Sequence, residues 1–419
     1  MNSRELFHEI MNFNRSVRPL KWSFGYWGST VKKWYEQGLT KKEYPKIPTE
    51  ISTISYSLYT TVWTHKWEKT PASKAEKIEL PDGIVAWGGA NCHPNQGMPL
   101  ATDVMEYFNF DKTGILVEVE QLFYPPFEIE ILEENEKFLI YIDLDGVKRR
   151  FQKKEATIPT FLDSSIKDWK SWCKVKEEKL TIENIKDRFP KNWNDLVKIY
   201  RNRDYPLYFG GYPLGLFGTL AHLLGYKHLF LFYYDHPDLI RDMLNTFTEL
   251  WISVWEEVLS FTSVDAIHIW EDISMGRGSM VSPSIIKEFM VPHYKRIADF
   301  LKGKGVNIIM LDTDGDCNEL IPIFLDAGIN CLYPMEASAG MDVLAVRKRY
   351  PTLAMMGGVP KSEIALGKEH IDKMLEPIEI LIKEGGYIPC GDHSIPPEVS
   401  WKNYKYYREK LNHMIYKIK

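Results

Sequence analysis

Three carboxylates lie within five positions of the segment "LDTDGD", residues 311 to 316. They belong to Asp312, Asp314 and Asp316. Carboxylates this close together can hold a divalent cation, attack a phosphoryl group or exchange protons with a substrate. Three interpretations therefore compete: a calcium loop, the nucleophile pair of a phosphatase, and a set of ligands at the end of a barrel strand.

A calcium loop needs glycine at its sixth position and a bidentate acid at its twelfth. Counted from Asp312, these positions hold Cys317 and Ile323, so the calcium interpretation is excluded. Phosphatases of the haloacid-dehalogenase type use a D-x-D signature near the start of their domain, whereas this segment lies in the C-terminal half of the chain. That signature is short and recurs by chance, so we prefer ligands at a strand end.

If a strand ends at this segment, Asp312 and Asp314 project to the same side, because strand residues alternate between two faces. Two ligands at positions i and i+2 can hold a single metal ion. Asp316 then lies beyond the strand, and we expect it to cap the following helix.

The second half of the chain repeats one unit, a short apolar run that ends in glycines or polar residues and precedes an amphipathic helix. Such units are typical of β-α repeats around a parallel sheet. With "KWSFGYW" (21–27) and one strand before residue 150, about eight units result, and we predict a (β/α)8 barrel. The six runs span residues 205–218, 264–274, 306–316, 329–338, 353–360 and 385–397.

A different pattern fills residues 113–160, where apolar and polar residues alternate with a period of two and "LDG" (144–146) is a turn signal. We predict a small antiparallel β excursion there, inserted into one barrel domain that spans residues 1–419. The first forty residues are typical of an N-terminal helical segment around the strand at 21–27.

Catalytic groups of such barrels lie at the C-terminal ends of the strands. In "AIHIWED" (266–272), His268 shares a strand face with Asp272, and the alternate isoleucines would pack on the helices, so the imidazole points into the barrel. A purely structural surface does not need acids at several consecutive strand ends. This chain places there Glu271 and Asp272, Asp312 and Asp314, Glu336, and Asp392 with His393.

Composition narrows the classes of protein. Hydrophobic residues make up 44% of the 419 residues and charged residues 26%, a balance typical of a globular protein. The net charge of -5 gives no reason to expect a nucleic-acid partner, and no window is apolar over the roughly 18 residues of a membrane helix. The five cysteines are scattered without a CxxC pair, and the N-terminus lacks the apolar stretch of a signal peptide, so we expect a cytoplasmic protein.

Three C-terminal segments carry a resemblance to a known family. "SPSIIKEFMVPHYKRI" (282–297), "MMGGVPKSEIALG" (355–367) and "GGYIPCGDHSIPPEVSWKNYKYY" (385–407) are similar to the uroporphyrinogen decarboxylase superfamily. The resemblance covers roughly residues 200–419, and "FGYWGSTVKKWYEQGL" (24–39) also resembles one branch of it. It implies a (β/α)8 barrel and one of two reactions, the decarboxylation of the haem pathway or a corrinoid-dependent methyl transfer.

Two departures from the family's motifs bear on the reaction. The decarboxylases carry an R-Q-A-G-R-Y segment after the first strand, whose arginines clamp substrate carboxylates, whereas this chain has "SFGYWGST" there. The nearest arginines are Arg15 and Arg18. A tetrapyrrole with many acid side chains would lack its partners, which argues against the haem-pathway reaction.

The thiol-methylating methyltransferases bind zinc through H-x-C on one strand and a later cysteine. At the matching positions this chain has Asp312, Asp314 and His393, so the resemblance implies these three residues as zinc ligands. Zinc accepts carboxylate and imidazole, and oxygen donors make it a stronger Lewis acid toward an oxygen substrate. A site without metal is the alternative.

A further branch takes methyl groups from methoxylated aromatic compounds and passes them to a separate corrinoid protein. The resemblance therefore implies a methyltransferase with a small methoxylated substrate and a corrinoid-protein partner. From their positions on and after the predicted strands we assign Asp272, Glu336 and His268 as catalytic groups, with Glu336 as an additional candidate for the zinc site. An aromatic substrate needs flat apolar walls, which aromatic residues at the strand ends would supply. These residues are Tyr26, Trp27, Tyr212, Trp270 and Tyr333.

Two other functions stay open, as does a homodimer. One is the metal-free decarboxylation of a small or tetrapyrrole carboxylate, and the other is a non-catalytic barrel that only docks a corrinoid protein. The candidate residues also have structural alternatives: His268 as a core histidine, Glu336 as a helix cap or salt-bridge partner, and His393 as a brace of its loop. Weaker candidates for a functional role are Cys317, Cys390 and His93.

Overall fold

The computed structural model describes residues 1–41, 101–128, 130–152 and 159–418. His93, one of the weaker candidates, lies outside these ranges, and so does Cys92. The strands of the described chain are β1 Ile115–Leu116, β2 Glu130–Glu134, β3 Phe138–Ile142, β4 Val147–Gln152, β5 Thr160–Ser164, β6 Leu207–Gly210, β7 Ala266–Trp270, β8 Ser274–Met275, β9 Gly278–Ser279, β10 Ile308–Asp312, β11 Cys331–Tyr333, β12 Ala354–Val359 and β13 Tyr387–Gly391.

Seven parallel strands form the central sheet, in the order β1-β6-β7-β10-β11-β12-β13. Every residue of β10, β12 and β13 is buried, as expected for parallel strands that are covered on both faces. In the register of this sheet Asp312 is paired with Trp270 on one side and Tyr333 on the other. The predicted α/β barrel with parallel strands is confirmed, and its strand ends are level at the edge that carries the acids.

Helices follow the strands and cover the outside of the sheet. The helix after β9 passes through a π-helical turn, Ile286–Met290, before it continues. The helices of the described chain are α1 Ser3–Met11, α2 Gly28–Glu36, α3 Ala101–Tyr107, α4 Trp169–Lys179, α5 Trp193–Arg201, α6 Leu216–Asp235, α7 Pro237–Phe261, α8 Pro283–Ile285, α9 Val291–Gly303, α10 Ile321–Asp326, α11 Val343–Arg349, α12 Lys361–Leu366, α13 Lys368–Leu381 and α14 Trp401–Tyr416.

The predicted strand at 21–27 is extended but does not form a regular ladder. It makes one parallel bridge, between Tyr26 and Ile395, beyond the end of β13. On its other side the indole N–H of Trp22 donates to the carbonyl of Lys112, just before β1. The segment therefore lies between the last strand and the first. Ile395 is followed by two prolines, which have no N–H to donate, so the ladder cannot extend in that direction.

The antiparallel excursion is present as a four-stranded sheet in the order β2-β3-β4-β5, called here the antiparallel sheet. Its bounds differ from the predicted 113–160: it begins at Glu130 and ends at Ser164, and residues 115–116 belong to the parallel sheet. The "LDG" turn joins β3 to β4, and the Asp143 carboxylate accepts the backbone N–H groups of Asp145 and Val147 there. The strand β1 has only two residues, too few for an apolar–polar pattern to show which of the two sheets it joins.

Helix α1 closes the N-terminal end of the barrel. Its apolar side chains, Leu6, Phe7 and Ile10 among them, belong to the same buried cluster as the inward residues of the strands. The buried carboxylate of Asp265, just before β7, contacts Arg4 and His8 of this helix. The end of the barrel opposite the acids is therefore filled by protein. In the described part of the chain, none of the helices is both long and apolar enough to cross a membrane.

Candidate active site

The "LDTDGD" segment leaves the sheet at Asp312 and turns sharply at Gly315, where φ is 80°. A Cβ on Gly315 would lie 2.5 Å from the backbone nitrogen of Met275, so only glycine fits this close approach of two loops. The turn keeps Asp314 beside Asp312. The prediction that both carboxylates project to the same side therefore agrees with where the structure places them.

Asp272 joins this pair from the end of the neighbouring strand. Its backbone has a φ of 44°, and its Oδ1 accepts the backbone N–H of Asp314 at 3.4 Å. The backbone N–H of Glu271 donates to the carbonyl of Asp312 at 2.8 Å, which fixes the two strand ends together. One carboxylate oxygen from each of Asp272, Asp312 and Asp314 lies within 4.8 Å of the others. We call these three residues the carboxylate cluster.

Burial and mutual repulsion act on the carboxylate cluster. The pKa of Asp272 is raised well above its ordinary value, by burial first and then by the charges of Asp314 and Asp312. Burial also raises the pKa of Asp312, against the hydrogen bond from His268. Three acids held this close without a cation between them favour partial protonation. The cluster can therefore hold either a proton or a divalent cation.

Two imidazoles border the carboxylate cluster. His268 Nε2 lies 2.7 Å from Asp312 Oδ2, inside the barrel as predicted from its strand face. His393 Nε2 lies 3.3 Å from Asp314 Oδ2. The predicted ligands Asp312, Asp314 and His393 are thus brought together, with Asp272 and His268 at the same place. Carboxylate oxygens and an imidazole nitrogen are a donor set that zinc accepts.

Aromatic rings adjoin the two imidazoles. The Phe24 ring stacks on His393 with centroids 4.6 Å apart and lies 5.1 Å from the ring of Tyr333. Tyr333 in turn stands edge-on to His268 at 6.0 Å. Tyr333 was predicted for this wall, whereas sequence reasoning missed Phe24. Its signal was its position in the extended segment 21–27, but regular alternation there would have placed it on the same face as Tyr26.

Tyr26 was predicted to line the substrate site, and the structure places it elsewhere. Its ring is buried in the outer core, edge-on to Trp34, and its hydroxyl is hydrogen-bonded to that of Tyr404 at 2.7 Å. Because the segment bridges the sheet at a single residue, its side chains do not alternate as in a regular strand. Trp27 is half-buried at the N-cap of α2.

Tyr212 and Trp270 are half-buried neighbours at the ends of β6 and β7. Their rings meet edge to face with centroids 4.3 Å apart. The Trp270 ring also covers Gly218 at the start of α6, where a Cβ would lie 2.6 Å from an indole carbon. The structure therefore brings these two predicted residues together. A third ring, Tyr226, was missed by sequence reasoning: burial and the charges of Asp272 and Asp314 raise its pKa to about 12.

Glu271 and Glu336 hold the backbone around the carboxylate cluster. The Glu271 carboxylate is fully buried and accepts three backbone N–H groups at the start of α6, from Leu216, Phe217 and Gly218. Burial raises its pKa to about 7. Glu336 accepts the backbone N–H of Gly315 at 2.9 Å, so it holds the turn that presents Asp314.

Lys361 is a cation at this edge that sequence reasoning did not single out. Its Nζ lies 3.3 Å from Glu336 Oε1 and 3.8 Å from Asp392 Oδ1. The salt-bridge alternative for Glu336 is therefore observed. The two weaker thiol candidates, Cys317 and Cys390, are both buried, and burial raises the pKa of each to about 12, which disfavours the thiolate that binds metals.

A second polar cluster joins the antiparallel sheet to α6. Arg149 donates from Nε to Asp143 at 2.6 Å and from Nη2 to Nδ1 of His222 at 2.7 Å. Nε2 of His222 lies 2.8 Å from Asp145, and the Tyr212 hydroxyl lies 2.5 Å from Nδ1. Asp143, Asp145 and His222 have the spacing of metal ligands, but the guanidinium already supplies a cation among them. We assign a structural role to this cluster. Its signal in the sequence is the D-x-D of "DLDG".

A parallel α/β barrel whose strand ends converge on acids and imidazoles is an enzyme architecture. The family model of uroporphyrinogen decarboxylase (URO-D) matches residues 197–413, just over half of the 419 residues. The chain therefore belongs to this family, whose superfamily contains decarboxylases and corrinoid-dependent methyltransferases. No curated protein matches the chain significantly.

Proposed function

We propose that this protein is a methyltransferase that moves a methyl group from a methoxylated aromatic compound to a corrinoid held by a separate protein. One observation carries the proposal: the carboxylate cluster, bordered by His268 and His393, lies beside aromatic rings at the carboxyl ends of the strands. A methyl ether is inert until its oxygen is activated. The site combines oxygen-activating groups with flat apolar surface.

The chemistry sets two demands on the protein. The methyl–oxygen bond breaks with its electron pair left on the aromatic oxygen, and phenolate is a poor leaving group unless it is coordinated or protonated. The reduced corrinoid supplies the nucleophile that takes the methyl group. Without a metal, Asp272 and the His268–Asp312 pair would hold the proton that the departing oxygen needs.

Asp312, Asp314 and His393 are the residues that would hold zinc, with Asp272 as a fourth donor within reach. Zinc bound there would act as a Lewis acid on the ether oxygen. Glu336 supports this set indirectly, since it fixes the Gly315 turn. Phe24 stacks on the imidazole of His393 and limits its rotation.

The first experiment combines elemental analysis of the purified protein with a demethylation assay. Wild type is expected to bind near-stoichiometric zinc and to release the free phenol from a methoxylated aromatic donor only when a reduced corrinoid protein is present. Asp314→Ala and His393→Ala should each abolish both. Asp316→Ala is the matched control, because this acid of the same loop bonds Asn318 rather than the cluster.

The two competing functions give different results in the same assay. Release of CO2 from a carboxylic acid without any corrinoid protein would replace the proposal with a decarboxylase. A complex with a corrinoid protein that survives Asp314→Ala and turns over no donor would reduce the barrel to a docking module. Zinc bound by wild type and Asp314→Ala alike would exclude the assigned ligands.

A further inference from the structure

The loops at the carboxyl edge of the sheet are strongly acidic. Among the described residues of the loops that follow β6, β7, β10, β11, β12 and β13, lysine and arginine occur only as Arg277 and Lys361. The longer insertion after β1 contains more of them, and Arg149, which lies beside His222, is already paired with Asp143. The extended segment 21–27 carries one basic residue, Lys21, which lies at the segment's start and bonds the Tyr416 hydroxyl. The acids in these loops therefore far outnumber the basic groups.

Neither of the two basic residues in these loops is a buried, unpaired counter-ion for a substrate carboxylate at the cluster. Lys361 lies between Glu336 and Asp392, so two carboxylates already neutralise its charge. Arg277 is exposed, at the tip of the β8–β9 hairpin. A negatively charged substrate would therefore approach the carboxylate cluster without a buried counter-ion from these loops, since water and salt screen the exposed guanidinium of Arg277.

A bound divalent metal would not reverse the sign of this edge. The carboxylate cluster, Glu336 and Asp392 place five carboxyl groups there against the single ammonium of Lys361. With both imidazoles neutral, two positive charges from a metal leave the edge negative even if one carboxyl group keeps its proton. Charge at such short range is felt strongly in a partly buried site.

We propose that the site selects methyl donors that carry no negative charge, and that the donor is an uncharged methoxyphenol rather than a methoxybenzoate. This inference rests on the proposed function and adds the chemical class of its substrate. The rings of Phe24, Tyr333 and Trp270 provide apolar contact for the aromatic ring, and the acids repel a carboxylate on it. Selection then follows from charge and not from ring shape.

The test uses three probes that share one methoxyphenol ring: 2-methoxyphenol, 4-hydroxy-3-methoxybenzoate and 4-hydroxy-3-methoxybenzamide. Binding to the full-length, zinc-loaded protein is measured by calorimetry at pH 7 without a corrinoid protein. We expect 2-methoxyphenol and the benzamide to bind at least tenfold more tightly than the benzoate. The benzamide has the shape of the benzoate without its charge, so it separates repulsion from steric exclusion.

Ionic strength gives an independent readout. Raising the salt from 0.05 to 0.5 M shortens the screening length, so the preference over the benzoate should shrink several-fold while benzamide binding stays unchanged. Benzoate binding equal to or tighter than that of 2-methoxyphenol would overturn the inference and leave methyl transfer standing. A benzamide as weak as the benzoate would also overturn it. Failure of all three probes to bind or to be demethylated would remove the proposed function and the inference together.

Discussion

Adjacent residues at the end of β7 have opposite roles, and a pair of substitutions can separate them. Glu271 is buried and accepts three backbone N–H groups and the Tyr294 hydroxyl, whereas Asp272 belongs to the carboxylate cluster. The sequence predicted both residues at the same edge of the sheet but not which of them faces the site. Side chains alternate regularly only within a strand, and both residues lie just beyond its end. The backbone contacts of Glu271 show that its carboxylate has a structural role.

Glu271→Ala is therefore expected to lower the free energy of unfolding by about 3 kcal/mol, because it leaves buried N–H donors at the start of α6 without an acceptor. Urea denaturation followed by circular dichroism measures this loss. Zinc stoichiometry of the folded variant should be unchanged. Asp272→Ala is the matched control, with the reverse pattern expected: a smaller effect on stability and weakened zinc binding. Loss of zinc in Glu271→Ala would make this residue a ligand.

At the scale of elements, the antiparallel sheet is fastened to the barrel by the Arg149 cluster. The side chains of Arg149 and Asp143 are almost fully buried, at 6% and 4% exposure, and their ion pair lies against His222 of α6. A buried ion pair that loses one member leaves an uncompensated charge. The same histidine contacts the Tyr212 hydroxyl, so the sheet is connected to a residue of the site.

Arg149→Leu should cost about 3 to 5 kcal/mol in unfolding free energy, since Asp143 would keep its buried charge without a partner. Hydrogen exchange of the amides in β3 and β4 should accelerate more than that of β10. The double variant Arg149→Leu with Asp143→Asn is the control, because the amide can still accept the turn's N–H groups but carries no charge. It should recover part of the loss. A double variant as unstable as the single one would rule out the uncompensated charge as the cause.

The elements were largely predictable, and the exceptions have physical reasons. Apolar runs with glycine ends predicted six of the parallel strands. Parallel strands are covered on both faces, so they appear in the sequence as short continuous apolar runs. The extended segment 21–27 was predicted as a barrel strand, and it makes only a single bridge, beyond the end of β13. The predicted place of the Tyr26 side chain at the site was wrong, since the prolines after Ile395 interrupt the ladder and Phe24 and Tyr26 lie on different sides.

For the whole molecule, the barrel itself made the candidate site predictable. Parallel strands of similar length bring their carboxyl ends to one edge, so acids far apart in sequence were expected to meet, and Asp272, Asp312 and Asp314 do. The Arg149 cluster could not be anticipated in this way. It depends on how the antiparallel sheet lies on α6, and contacts between His222 and residues more than 70 positions earlier leave no periodic signal.

The residues at the N-terminal end of the barrel, opposite the candidate site, stabilise the fold and take no part in the proposed reaction. Asp265 there has a side chain only 1% exposed and binds Arg203, Arg4 and His8 while accepting the backbone N–H of Leu207. Burial raises the pKa of Asp265, but the hydrogen bonds from His8, Arg4 and Arg203 and the charge of Arg203 outweigh it and hold this pKa below its ordinary value. Since the folded pKa is depressed, the stabilising contribution is complete above the unfolded value near 4 and is lost as the pH falls below it.

Asp265→Asn should therefore lower the unfolding free energy at pH 7 by about 3 to 5 kcal/mol, and the difference from wild type should narrow as the pH falls below about 4. Urea denaturation at pH 7, 5 and 3.5 measures both effects. Asp204→Asn is the matched control at the same end, because its ion pair with Lys112 is exposed and should be worth less than about 1 kcal/mol. Zinc binding by folded Asp265→Asn should equal that of wild type. Weakened zinc binding in that variant would mean that the two ends of the barrel are coupled, and the separation of support from chemistry would be wrong.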